Sequence, residues 1–198
     1  MNTLYPIFLK TASLRILIVG GGNVGTEKVS FLLKNSPSAQ VTVLAKEVSE
    51  EIYALRSNHP QLTIIEKPFT PEDINGYQLC IAGTADTTLN LLVAQAAKKQ
   101  KILVNVADTP ELCDFYLGGV VTKGDLKIAI STNGKSPTLA KRLRQMFEEI
   151  IPDSMEQIIN DLQQIRNQLK GDFEYKVKAM EEITKNWLKD NNKSNLGS

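Results

Sequence analysis

An aspartate that follows a short apolar run is the first candidate for chemistry in this sequence. Asp108 comes two residues after the run ILVNV at 102–106, and Thr109-Pro110 then turns the chain. Such a run is typical of a buried strand. A carboxylate at the end of a strand can accept a proton from a bound molecule. The alternative is that Asp108 only organises the turn before the proline, and periodicity leaves both interpretations open.

A glycine-rich turn lies near the start of the chain. Gly20, Gly22 and Gly25 form the pattern G-x-G-x-x-G in VGGGNVGTEK, between a predicted strand at 14–19 and a predicted helix. Glycines in this setting permit a tight turn and close approach of the backbone to a pyrophosphate, and the helix start adds unpaired N–H groups. The turn therefore predicts a dinucleotide site. A glycine turn that binds nothing is the alternative.

The acidic residue that usually accompanies this pattern is missing. It is expected about 20 positions later, where it holds the ribose hydroxyls. Leu44 and Ala45 occupy that place, and Lys46 and Glu47 follow. Glu47 lies somewhat far along the chain for this task, while Lys46 leaves NADP open as an alternative to NAD.

Basic residues crowd a second predicted loop-to-helix junction, in ISTNGKSPTLAKRLRQ at 130–145. Ser136 precedes a proline, as an N-cap does. Lys135, Lys141 and Arg142 surround the helix start, where cations oppose the helix dipole. This placement indicates an acidic ligand. Ser136 is either a simple N-cap or a residue near that ligand, and a catalytic dyad is disfavoured because no histidine is near.

An alternating scaffold is predicted to position these groups. Apolar runs at 14–19, 41–44, 63–66, 79–82 and 102–106 alternate with helical patterns that begin at 24 and cover 49–57 and 87–99. This rhythm indicates a parallel α/β sheet with right-handed crossovers. Residues 115–122 and 126–131 then predict a hairpin. A helix from Ser136-Pro137 and two amphipathic helical stretches follow, the second of which includes Phe173 and Trp187.

Composition excludes several classes of protein. The 198 residues carry a net charge of +1 and contain two cysteines and one histidine, His59. We therefore expect no nucleic-acid partner, no disulfide framework and no preformed soft-metal site. No segment is apolar for long enough to span a membrane, and the N-terminus does not resemble a signal peptide. These features predict a cytoplasmic protein.

Four segments together resemble a known family. VGGGNVGTEKVSFLL, IAGTADTTLN, NVADTPELCDF and ISTNGKSPTLAKRLRQ, in this order, resemble the siroheme-synthase N-terminal family, which comprises precorrin-2 dehydrogenases, some of which are also sirohydrochlorin ferrochelatases. The resemblance runs from about residue 5 to residue 152. The family usually has alanine at the position of Gly25.

The resemblance implies a Rossmann-like fold in four parts. These are an NAD-binding domain at 1–112, a dimerisation and substrate segment at 113–151, a helical segment at 152–190 and a flexible tail at 191–198. It makes NAD the cofactor, a tetrapyrrole (precorrin-2 or sirohydrochlorin) the substrate and a homodimer the expected assembly. No methyltransferase domain follows in the sequence, which indicates a stand-alone form.

The resemblance also implies roles for individual residues. Asp108 falls on the family's essential aspartate and Ser136 on a serine near the substrate. The cofactor-binding positions fall on Gly20, Gly22, Asn23, Val24, Gly25, Lys46 and Glu47. Lys135, Lys141 and Arg142 would face the substrate carboxylates. Partial burial would raise the pKa of Asp108 and suit it to accept the proton released on oxidation.

Three functions are compatible with these residues and with the resemblance. The first is NAD-dependent dehydrogenation of precorrin-2 followed by insertion of ferrous iron, for which the macrocycle nitrogens are the metal ligands. The second is dehydrogenation alone. The third is an NAD-sensing dimer without catalysis, which would leave the NVAD and GKSP segments unexplained.

Overall fold

A computed structural model describes residue 2 and residues 4–185. The chain divides into two compact units. The first comprises the described residues up to 120 together with 129–144, and the second comprises 121–128 and the described residues after 144. Trp187 and the predicted tail at 191–198 lie outside the described residues.

The first unit is built on a five-stranded parallel sheet. Its strands are β1 (Arg15–Val19), β2 (Gln40–Ala45), β3 (Thr63–Glu66), β4 (Leu79–Ala82) and β5 (Leu103–Val106), in the order β3-β2-β1-β4-β5. The helices between them are α1 (Asn23–Asn35), α2 (Glu50–Asn58) and α3 (Thr87–Lys99). The predicted Rossmann-like class is confirmed. The order of the strands reverses at β1, which makes the crevice beside its carboxyl end a binding position for ligands.

The core lies on both faces of this sheet. Ile16 and Ile18 of β1 belong to one buried cluster, and Leu17 and Val19 belong to the other. All four side chains are at most 1% exposed. A central parallel strand is covered by helices on each side and therefore reads as a continuous apolar run, which is why LRILIV could be recognised as a strand.

The register brings the carboxyl ends of the strands to one edge. Val19 pairs with Leu44 and with Ala82, and Ala82 pairs with Val106. The loops that follow β1, β2, β4 and β5 therefore begin at the same level of the sheet. Segments far apart in sequence meet at this edge.

The predicted hairpin is present but starts later than expected. Its strands are β6 (Gly119–Lys123) and β7 (Leu126–Ile130), and α4 (Pro137–Ile150) follows. The first strand was predicted from residue 115. Phe115 and Leu117 instead pack against the core of the first unit, so this apolar segment belongs to the domain core and not to the hairpin.

The second unit contains the tip of the hairpin and the helices α5 (Met155–Gln168) and α6 (Phe173–Thr184). Lys123 forms an ion pair with Asp153, and this hydrogen bond lowers the pKa of the Asp153 carboxyl. Neither α5 nor α6 has a fully buried residue. Among the described residues, no helix has the length and apolarity that crossing a membrane requires.

Candidate active site

A cleft of about 740 Å³ opens at the carboxyl ends of β1, β2 and β4. Its volume is within the range of small-molecule sites, and it lies where the order of the strands reverses. Six of the predicted cofactor residues line it: Gly20, Gly22, Asn23, Val24, Lys46 and Glu47. Gly25 is not among the lining residues.

Gly20 makes the turn after β1 possible. Its φ of 125° lies in a region that favours glycine, and a Cβ atom there would lie 2.3 Å from the carbonyl oxygen of Gly83. Its N–H donates to the carbonyl oxygen of Leu44 at 3.0 Å. Conformation and close packing therefore both require glycine at this position.

Gly22 and the start of α1 form the floor of the cleft. Gly22 is the N-cap residue of α1, and the helix start has no side-chain cap. A Cβ atom on Gly22 would meet no other atom within 4 Å, so the cleft is open at this point. Uncapped N–H groups at a helix start favour an anion, and the pyrophosphate of a dinucleotide fits this position.

Gly25 has a packing role beneath the turn. It is buried in the first turn of α1, and a Cβ atom there would lie 2.0 Å from the carbonyl oxygen of Gly20. Alanine, the residue usual in the resembling family, would require the turn of this chain to shift. Gly25 thus lets α1 approach β1 closely.

The loop after β2 forms one wall of the cleft. Lys46 and Glu47 are exposed and line the cleft. The N–H of Ser49 donates to the carbonyl oxygen of Gly21 at 2.9 Å, and the hydroxyls of Ser49 and Thr26 lie 2.8 Å apart. Ser49 is the first residue of the helix predicted at 49–57 and the N-cap residue of α2, but its hydroxyl caps no N–H group. It ties the loop to the glycine turn instead.

The loop after β4 forms another wall. Its conformation is held by Asn90, a residue that was not predicted from the sequence. Asn90 is 4% exposed. Its Oδ1 accepts from the N–H and the hydroxyl of Thr84 at 3.2 and 2.8 Å, and its Nδ2 donates to the Thr84 carbonyl oxygen at 3.0 Å. Asp86, which also lines the cleft, caps α3 by accepting from the N–H groups of Thr88 and Leu89. These bonds hold the loop in one conformation.

Asp108 lies on the same edge of the sheet, two strands away from the glycine turn. The N–H of Ala107 donates to the carbonyl oxygen of Ala82 at 2.9 Å, so the Asp108 turn starts level with the β4 loop. Neighbouring strands are about 4.8 Å apart, which places Asp108 roughly 10 Å from the glycine turn along the edge. Asp108 is exposed, so the partial burial considered for it in the sequence analysis is not present. Its φ of 56° is left-handed.

The start of α4 carries the predicted basic cluster. The hydroxyl of Ser136 accepts from the N–H of Leu139 at 3.2 Å, so the predicted capping role is present. Lys135, Lys141 and Arg142 are exposed, and none of the three has an ion-pair partner within residue 2 and residues 4–185. These cations are available to an acidic ligand.

Neither a metal cage nor a reactive thiol is evident in the part of the chain that the structure describes. It holds no group of three or more His, Cys, Asp or Glu side chains that could bind a metal ion. Cys80 and Cys113 are both free thiols. Burial raises the pKa of Cys80 to about 12, and burial also raises the pKa of Cys113.

Comparison with known proteins identifies the class and then the family. A model described as putative NAD(P)-binding matches residues 7–119, and one described as sirohaem biosynthesis protein central matches residues 123–150. The chain therefore belongs to the NAD(P)-binding family of the first model, and the two matches in this order confirm the predicted siroheme-synthase N-terminal family. The predicted cofactor NAD is confirmed with it.

Individual relatives agree with this assignment. The siroheme synthase of Psychrobacter sp. (strain PRwf-1) is 38% identical over 171 residues, which are 86% of this chain and 34% of the relative. That of Methylococcus capsulatus (strain ATCC 33009 / NCIMB 11132 / Bath) is 41% identical over 147 residues, 74% of this chain and 30% of the relative. The chain thus spans about a third of the length of these curated relatives.

A solved structure extends the similarity over nearly the whole chain. The protein named SirC, precorrin-2 dehydrogenase, superposes with a TM-score of 0.71 and 28% identity. The match covers 91% of this chain and 89% of that one. Unlike the longer siroheme synthases, this neighbour is similar to the present chain in extent as well as in fold.

Proposed function

We propose that this protein oxidises precorrin-2 to sirohydrochlorin with NAD as the hydride acceptor. The proposal rests on the cleft at the point where the order of the strands reverses, with Asp108 on the same edge of the sheet. The neighbour named precorrin-2 dehydrogenase supports it, since that protein matches this chain over 91% of its length. NAD, when bound, supplies the nicotinamide that accepts a hydride.

The described residues divide the remaining work between binding and proton transfer. The N–H groups at the start of α1 bind the pyrophosphate, and Gly22 leaves room for it. Lys46 and Glu47 lie where the ribose is expected. Oxidation removes a hydride and a proton from the substrate, and Asp108 accepts the proton. An exposed carboxylate at the edge of the sheet is accessible to a large planar substrate.

The basic cluster is proposed to bind the substrate. Precorrin-2 is rich in carboxylates, and Lys135, Lys141 and Arg142 are exposed cations without ion-pair partners among the described side chains. Ser136 caps α4 and presents this helix start to the ligand.

The proposal is tested by recording the visible spectrum of the tetrapyrrole during the reaction. Purified protein is mixed anaerobically with precorrin-2 and NAD, and we expect NADH to form together with sirohydrochlorin. NAD binding without any change in the tetrapyrrole spectrum would instead support the non-catalytic NAD sensor. Replacement of NAD by NADP in the same assay measures the preference of the cofactor site.

Reversal of charge in the basic cluster should weaken substrate binding. The double variant Lys141→Glu/Arg142→Glu is expected to raise the KM for precorrin-2 on the order of 10-fold, while the Kd for NAD stays near the wild-type value. The loss should shrink at high ionic strength because salt screens exposed charges. Steady-state kinetics at two salt concentrations measure both effects.

Lys34→Glu is the matched control for this prediction. Lys34 is an exposed lysine in the last turn of α1, and this helix starts at the cleft and runs away from it. The control variant should keep the wild-type KM. Equal KM values for the double variant and the wild type would remove these cations from the proposed substrate site.

A second activity, insertion of ferrous iron into sirohydrochlorin, is proposed for the same protein. It is favoured by the name of the curated relatives, siroheme synthase, which implies siroheme as the product. Iron would be a substrate, held by the macrocycle nitrogens. Ferrous iron added after the first reaction should produce the siroheme spectrum, whereas a reaction that stops at sirohydrochlorin supports dehydrogenation alone.

The assembly, location and division of the chain are further parts of the proposal. A cytoplasmic homodimer with an NAD-binding domain at 1–112, a dimerisation segment at 113–151 and a helical segment at 152–190 fits the family. Phe173, Tyr175 and Ile183 of α6 are 74%, 54% and 47% exposed in the single chain, which supports contact with a second copy. Sedimentation velocity measures this directly.

A further inference from the structure

The loop that carries Asp108 returns to the strand from which it departs. After Asp108 the chain passes through a short 3-10 helix (Pro110–Leu112) and then runs back along β5. The N–H of Asp114 donates to the Val104 carbonyl oxygen at 2.7 Å, and the Asp114 carboxylate accepts from the Val104 N–H at 3.0 Å. The base of the loop is therefore closed.

The thiol of Cys113 lies inside this loop and contacts both sides of Asp108. Its Sγ accepts from the N–H of Val106 at 3.1 Å and lies 3.3 Å from the Val106 carbonyl oxygen. It also lies 3.4 Å from the carbonyl oxygen of Thr109. Val106 and Thr109 bracket Asp108 in the chain. Because burial raises the pKa of this thiol, it stays protonated at neutral pH and can donate to a carbonyl oxygen.

Asn105 supports the same sulfur from the strand. It is 7% exposed in a strand whose neighbouring buried positions, Val104 and Val106, are apolar. Its Nδ2 donates to the Phe115 carbonyl oxygen at 2.8 Å and lies 3.5 Å from the Cys113 Sγ. Burial of an amide is unfavourable unless its hydrogen bonds are made, and here the Nδ2 group bonds to the returning arm of the loop.

Asp108 itself has a conformation that its surroundings must maintain. A left-handed φ is uncommon for residues other than glycine, although aspartate tolerates it better than most. Strained residues persist only where the surrounding structure determines them, and they cluster at active sites. The closed loop provides that restraint and directs the Asp108 side chain outwards.

We propose that Asn105 and Cys113 are positioning residues that hold the Asp108 turn in its reactive conformation. This inference rests on the proposed function, in which Asp108 accepts the proton from precorrin-2. Neither residue lines the cofactor cleft. Both act through the backbone on either side of Asp108, and the other free thiol, Cys80 in β4, takes no part.

The test compares the same substitution at the two cysteines. Cys113→Ala removes the sulfur bonds and is expected to lower kcat about 10- to 100-fold, since a small displacement of a catalytic group can cost this much. The Kd for NAD should remain at the wild-type value. Cys113→Ser replaces the thiol by a hydroxyl, which also donates and accepts hydrogen bonds. This variant should lose less activity than Cys113→Ala. Asn105→Ala should also lower kcat, because it removes the hydrogen bond to the Phe115 carbonyl oxygen.

Cys80→Ala is the matched control, because Cys80 is a fully buried thiol in β4 outside the Asp108 loop. It should lower the melting temperature but leave kcat unchanged below that temperature. The double variant Cys113→Ala/Asp108→Asn should be no slower than Asp108→Asn alone, because the thiol acts only through the carboxylate. This non-additivity separates positioning from general stabilisation.

Each outcome decides the inference. A Cys113→Ala enzyme with wild-type kcat would overturn it, as would a further loss of rate in the Asp108→Asn background or an equal loss in Cys80→Ala. An inactive wild-type protein would overturn the proposed function and this inference with it. An active wild type with an unaffected Cys113→Ala variant would overturn the inference alone.

Discussion

Asp108→Asn is expected to lower kcat for oxidation of precorrin-2 by about 10²- to 10⁴-fold, the usual contribution of a general base. Asparagine has nearly the shape of aspartate but cannot accept the proton. It also tolerates a left-handed φ, so the turn at φ 56° should remain intact. The substitution therefore removes the chemistry and keeps the loop.

Binding of NAD should be unaffected by this variant. Asp108 is not among the residues that line the cleft, so the Kd for NAD is expected to stay within about twofold of the wild-type value, as for a group that acts only in the transition state. The measurements are initial rates from the visible spectrum and NAD titration by calorimetry. A loss of NAD affinity would show that Asp108 serves the cofactor and not the proton transfer.

Glu111→Gln is the matched control. Glu111 is an exposed carboxylate in the 3-10 helix of the same loop, and its replacement removes the same unit of charge. We expect this variant to keep the wild-type rate. If Asp108→Asn also kept it, the assignment of the base would be wrong.

The sheet could be predicted from the sequence because its strands are buried on both faces. Strands β3 and β4 and helix α3 have the predicted bounds, 63–66, 79–82 and 87–99. Continuous apolar runs and a 3.6-residue period are strong local signals. The start of the hairpin was predicted too early in the chain. Phe115 begins an apolar run typical of a strand, but it packs against the core of the first unit.

The candidate site could be predicted only where chemistry depends on a local pattern. The glycine turn and the aspartate after β5 are such patterns, and both lie at the carboxyl edge of the sheet. Asn90 and Asn105 were missed because the partners of a buried amide are known only after the chain has folded. A signal was present, because each is a single amide within an apolar stretch, in LNLLVA and LVNV.

The exposure of Asp108 could not be predicted from the sequence either. Partial burial was the condition under which the pKa of Asp108 would be raised, but Asp108 is exposed, and β5 is an edge strand of the sheet in the described part of the chain. Among residue 2 and residues 4–185, no further strand covers β5 on that side, and the returning segment at 113–115 bonds to the strand while Asp108 stays exposed. The position of a strand within a sheet is a tertiary property that a local apolar run does not reveal.

Gly20→Ala is expected to destabilise the fold and abolish NAD binding together. At φ 125° the backbone is strained for any residue with a Cβ atom, and this atom would lie 2.3 Å from the Gly83 carbonyl oxygen. Backbone strain and overpacking each cost about 1–3 kcal/mol. The loops after β1 and β4 both line the cleft, so any relaxation that removes the clash must change the shape of the site. Thermal unfolding and NAD titration measure the two effects.

Gly22→Ala is the matched control, because the same methyl group is added two residues away, where it would meet no atom within 4 Å. Gly22 has φ −86°, which alanine adopts freely, and the loss of stability should be less than about 1 kcal/mol. The added methyl group points into space that the pyrophosphate is proposed to occupy, so NAD affinity should fall while the melting temperature stays near the wild-type value. Wild-type NAD affinity in Gly22→Ala would show that the pyrophosphate does not approach the turn at this residue. Wild-type stability in Gly20→Ala would show that the β1 and β4 loops can separate without loss of packing.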